Sequence, residues 1–285
     1  MRPITGLCLM LLIVSGCDRS PAPAAAHEAR AKSQPAQPPN TPEGVATAFL
    51  QAGNERDLSR MQSLLTDCSK RLLQPILEPF RQGMTQFVKI GPARVAQQHP
   101  DQPWAMVVVD GDEKGALFLR QQNGQWRVDL EEEFSELSRF LLEELPKAPL
   151  PGALAQVMLN ETRCPQGWEL ATDYTRDEMA LPQAVIGYAY QRYRREQIGH
   201  AIIEYRLYDS EHAAQWHMWR WRHDAATRHT VIPLECADEA WHCPPGKIDG
   251  SHYASESALR LGAMVVLMSN VSAGDVARCV EMMKQ

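Results

Sequence analysis

No apolar run in this 285-residue chain reaches the ~20 residues that a membrane-spanning helix requires. The nearest approach, Ile4 to Val14, is interrupted by Thr5 and Gly6. Basic charge is not in excess either: 29 Lys and Arg stand against 35 Asp and Glu, for a net charge of -6. That balance argues against nucleic acid as the main partner, because phosphate binding needs a net basic face. Catalytic signatures are missing as well. The chain has no Gly-x-Ser-x-Gly, phosphate-binding loop, dinucleotide fingerprint or His-Glu-x-x-His pattern, so its motifs indicate no reaction class and no cofactor. It has no Cys-x-x-Cys, which removes the commonest dithiol redox motif.

The N-terminus carries the most specific pattern present. Arg2 supplies a small positive region, Ile4–Val14 has the length of a secretory-signal core (~7–15 residues), and Ser15, Gly16 and Cys17 follow. Val14-Ser15-Gly16-Cys17 resembles the lipobox of bacterial lipoproteins; the other reading is a plain secretory signal with a chance cysteine. The resemblance implies cleavage before Cys17, diacylation of its sulfur and acylation of the new amine, and more than one acyl chain anchors stably. In Gram-negative lipoproteins Asp at the next position, here Asp18, favours retention in the inner membrane. The expected location is therefore the periplasmic side of the cell membrane.

Residues 17–41 are rich in Pro and Ala and have almost no large apolar side chains. Such a segment cannot bury enough surface to offset its ordering entropy, which predicts an extended tether. Folding is expected to begin at Thr41-Pro42, a good cap followed by a good first helical residue. Val45, Ala48, Phe49 and Ala52 recur at helical spacing, and a second helix starts at Asp57 or Ser59. A third helical segment carries Leu72, Leu73, Ile76, Leu77 and Phe80, and four strands follow at 87–97, 104–109, 116–121 and 126–130, the last two joined by Asn123-Gly124. Glu131–Leu145 reads as an acidic amphipathic helix. The stretches "TPEGVATAFLQAGNERDLSRMQSLLT" and "KGALFLRQQNGQWRVDL" resemble the nuclear-transport-factor-two-like lipoprotein domains. The resemblance implies helices on a curved antiparallel sheet over 42–146, with no particular activity. Inward polar groups are hard to find in "AMVVVD" and "GALFLR", which disfavours a catalytic pocket there.

The second half, 153–285, reads as a separate small α+β sandwich, so the whole chain is α+β. Strands are expected at 185–193, 201–208, 229–234 and 258–268, with Leu259, Leu261, Ala263, Val265 and Leu267 sharing one face of the last. Helices are expected at 210–223 and from Ser272 onward. In the helical segment "QWHMWRWRHD", Trp216, Trp219, Arg220 and Arg222 either pack aromatics on the sheet or form a cation–π surface. Arg192, Arg194 and Arg195 in "YAYQRYRREQ" either end a strand or join that surface. Together these seven residues are the candidate face for an envelope protein or a small anionic ligand. Of the five cysteines outside residues 1–17, a Cys236–Cys243 bridge is the simplest pairing, leaving Cys164 with Cys279 and Cys68 over. A zinc site using Cys236, His242 and Cys243 fits poorly, because structural sites favour shorter cysteine spacing. The expected whole is a lipid-anchored binding module, with a pocket-based hydrolase or isomerase in the first domain, or a passive scaffold, as alternatives.

Overall fold

A computed structural model describes residues 40–74, 77, 90–111, 115–131, 152–160, 162–175, 185–195, 199–248 and 251–285. The tether before residue 40, the far end of the third helical segment and the predicted 131–145 helix beyond Glu131 lie outside them. The chain divides into two compact units, Met1–Phe134 and Ser135–Gln285. Both are α+β, with an antiparallel sheet each. Among the described residues no helix is long and apolar enough to cross a membrane.

The first unit opens with α1 (Pro42–Asn54), α2 (Leu58–Leu64) and α3 (Asp67–Leu73). Each starts on a side-chain cap that satisfies an otherwise orphaned amide. Thr41 accepts from the Gly44 amide, Asp57 from Arg60 and Thr66 from Ser69. The sheet is a meander of β1 (Ile90–Gln98), β2 (Trp104–Gly111), β3 (Gly115–Gln122) and β4 (Gln125–Asp129) in sequence order. Asn123 and Gly124 make the tight β3–β4 turn, both at positive φ (54° and 73°), which is why Asn-Gly stands there. Asn40 clamps this turn: its amide donates to the Gly124 carbonyl and its oxygen accepts from the Trp126 amide, both at 3.0 Å. The fold thus already includes Asn40, one residue inside the expected tether. Ala105, Val107, Leu119 and Val128 fill one face of the sheet, and Trp104, Met106, Phe118 and Asp129 are buried on the other.

The second unit is built on a seven-stranded sheet of order β5-β6-β7-β13-β12-β9-β8. Its strands are β5 (Trp168–Thr175), β6 (Val185–Arg195), β7 (Gly199–Tyr208), β8 (Ile232–Pro233), β9 (Glu239–Cys243), β12 (Glu256–Leu261) and β13 (Met264–Ser269). β10 (Gly246–Ile248) and β11 (Ser251–Tyr253) form a separate ribbon. Of its three helices among the described residues, α4 (Gly152–Val157) and α6 (Ala273–Met283) belong to the face lined by Tyr193, Ile203, Tyr205, Leu259 and Val266. α5 (Glu211–Ala226) covers the opposite face, where Ala214 and Met218 pack on Tyr188, Tyr208, Ala258 and Val265.

Two sequence expectations change here. The predicted single strand over 258–268 is a hairpin, turned at Gly262 (φ 58°), so Leu259 and Val265 face opposite sides of the sheet. The misreading has a physical cause: β13 is central and buried on both faces, so its apolar run carries no alternation to mark where it begins. The predicted 229–234 strand shrinks to the two residues of β8 at the sheet edge. α6 keeps its expected stripe of Val276, Cys279, Val280 and Met283, and its expected Ser272 cap.

Candidate functional site

In the first unit the strand period places Phe118, Arg120 and Gln122 on one face of β3, and the register sets Asp129 opposite Phe118. Arg120 therefore lies diagonal to Asp129, within reach of a long side chain. Its Nε stands 2.8 Å from Asp129 Oδ2, an ion pair whose N–H is not aligned for a hydrogen bond. Its Nη2 meets Glu131 Oε1. The Glu131 amide donates to Asp129 Oδ1 at 3.0 Å. α3 docks on this group from its first turn: the Ser69 hydroxyl accepts from the Leu130 amide at 2.9 Å, and the Cys68 thiol bonds to Glu131.

The electrostatics limit what this cluster can do. Burial works against the charge on Arg120, but Asp129 and Glu131 more than offset it and hold its pKa above the ordinary value. Burial, reinforced by the charge of Glu131, pushes the Cys68 thiol up to about 12. Cys68 is therefore protonated at neutral pH and is no nucleophile. Asp129 is fully buried, whereas Arg120 keeps 28% side-chain exposure. Sequence reasoning missed this group by treating "GALFLR" as wholly apolar inside. The available signal was phase: Arg120 keeps step with the buried Phe118, and Asp129 with Arg127 across the hairpin.

The predicted basic-aromatic face of the second unit does not hold together. Trp216 and Trp219 are each 8% exposed and Arg220 is 7% exposed, so the aromatic part is inside. Trp216 stacks on Trp219 at 5.5 Å, and Trp219 leans on His223 at 4.7 Å. Trp221 packs against the core beneath α5. Arg222 is exposed but sits 4.0 Å over the ring of Trp241 on β9. Arg192 and Arg194 are exposed on β6, four strand positions from β9 and so about 19 Å away across the sheet. Arg195, one residue on, must point through the opposite face. It is buried there, donates to the Asn270 carbonyl and lies 5.4 Å from Trp168. Strand alternation thus separates three arginines that are adjacent in sequence.

Polar residues also occur within the core beneath α5. Glu204 and Arg206 are both buried and pair at 3.3 Å, between Tyr188 and Tyr190 on β6 and Val265 and Leu267 on β13. On the other face His242 Nδ1 and Ser257 Oγ lie 2.8 Å apart, opposite one another in the register and both buried. The same burial lowers the pKa of His242 and keeps this pair from any substrate.

No disulfide joins the described cysteines. The expected Cys236–Cys243 bridge is not formed, and the register gives the reason. Cys243 shares the α5 face with Trp241, whereas Cys236 packs against the cluster on the other side of the sheet. Cys164 packs against that same cluster, which contains the buried Cys279, but the two are thiols. Among the described residues no group of His, Cys, Asp or Glu is placed to hold a metal ion. No family model, curated protein or solved structure matches this chain.

Proposed function

We propose that the chain is a lipoprotein of the bacterial cell envelope, held to the periplasmic side of the inner membrane by acylation of Cys17 and carrying two α+β units as a binding module. The observation that carries this reading is Val14-Ser15-Gly16-Cys17-Asp18 at the end of a short apolar core, followed directly by a Pro- and Ala-rich segment. Helices followed by a four-stranded meander are consistent with a nuclear-transport-factor-two-like first unit. The contact residues of the module are the exposed Arg192 and Arg194, which suit an envelope protein or a small ligand bearing acidic groups. Cys17→Ser tests the anchor. It is expected to abolish incorporation of labelled palmitate and to leave the membrane fraction without the protein, whereas membrane retention of an unlabelled variant contradicts the reading.

A second reading, a pocket-based hydrolase or isomerase in the first unit, has one observation in its favour: Arg120, Asp129 and Glu131 gather on one face of that sheet. It requires a turnover that Glu131→Gln removes while the fold persists by circular dichroism; undiminished turnover in that variant eliminates it.

A further inference from the structure

A chain of polar and aromatic contacts brings the start and the end of the second unit together. The Cys164 thiol, in the turn before β5, donates to the Trp168 carbonyl at 3.5 Å. The Trp168 ring lies against Tyr193 and under Arg195. Arg195 in turn holds the Asn270 carbonyl at the approach to α6, the helix that carries Cys279. Cys164 is half-buried and packs on the apolar cluster in which Cys279 is enclosed. We propose that Cys164 and Cys279 form a redox pair that closes to a disulfide by exchange with an external disulfide, stapling the first turn of the second unit to its last helix. The oxidising surroundings that would supply such a reagent in the cell rest on the envelope reading above.

The two thiols have different parts in the exchange. Burial, with the charge of Asp275, pushes the Cys279 thiol up to about 12, so it is not the entry point. The half-buried Cys164, as its thiolate, attacks one sulfur of the external disulfide; a sulfur–sulfur bond forms and one thiolate leaves. Cys279 then attacks the Cys164 sulfur, its proton passing to the second half of the reagent, which leaves as a thiol. Two protein thiols are oxidised, one external disulfide is reduced to two thiols, and the protons balance. The bridge closes a loop spanning most of the second unit, where cross-linking stabilises most in the chain-entropy account.

The test equilibrates the purified full-length chain with mixtures of oxidised and reduced glutathione, followed by differential alkylation and peptide mass mapping. The expected product is a linked peptide joining Cys164 to Cys279, with Cys68, Cys236 and Cys243 still alkylated as thiols. The unfolding midpoint of the oxidised form is expected to rise by roughly 5–10 °C over that of Cys164→Ala. Cys279→Ser, checked for folding by circular dichroism, is expected to trap glutathione on Cys164. A linkage through Cys236 or Cys243, or no reaction at Cys164, overturns the pair. The exchange is run on isolated protein, so its failure speaks only to the pair; failure of the envelope reading shows separately, as an unmodified Cys17.

Discussion

At the scale of single residues, the strongest commitments of this chain are buried charges and their partners. Arg120 meets both Asp129 and Glu131. Removing one partner of a buried ionic group costs far more than the group contributes net, because the remaining charge stays desolvated. Arg120→Met is therefore expected to destabilise the first unit by about 3 kcal/mol in urea unfolding, and Arg120→Met combined with Asp129→Leu by less than the single change. The second unit is expected to be sensitive to acid. Burial lowers the pKa of His242, and burial together with Arg228 lowers that of His229. An imidazole with a depressed native pKa binds more protons in the unfolded chain, so stability falls as pH drops below the unfolded value of about 6.5. Replacing His242 by Gln is expected to flatten that loss between pH 6.5 and 5, measured as the urea midpoint against pH. These residues were not all legible in the sequence. Asp129 and Arg120 look like ordinary strand-end polar residues until the register is known, and only pairing decides which face each one takes.

The elements themselves were more readable where a local rule sets them. Thr41, Asp57, Ser210 and Ser272 each cap the helix that their sequence context predicts. Asn123-Gly124 makes the hairpin that its residue types demand. The failures are elements whose signal comes from elsewhere in the fold. β5 and β9 were not predicted, and β12–β13 was read as one strand, because central strands covered on both faces, as β13 is, lose the period-2 pattern; β5 is an edge strand, so that reason does not extend to it. The Trp-rich α5 shows the same limit: spacing puts Trp216 and Trp219 on one side of a helix but cannot say whether that side meets core or water. Both are buried. Trp219→Ala is thus expected to cost about 3 kcal/mol of stability, the size of a large-to-small change in a packed interior, whereas Arg194→Ala should stay within about 0.5 kcal/mol. Equal and small effects of the two substitutions would put the indoles back on the surface.

For the molecule as a whole, the arrangement is an expected lipid anchor and an expected tether, followed by two α+β units whose described residues begin at Asn40 on the β3–β4 turn. The folded units present buried ionic clusters and a divided set of arginines. The proposed location of the molecule rests on Cys17. Intact-mass measurement of the mature protein from native membranes tests it directly. The mature chain is expected to begin at Cys17 and to carry the added mass of a diacylglyceryl group and an amine-linked acyl chain. A chain that retains residues 1–16, or one that begins at Cys17 with an unmodified thiol and amine, would contradict it.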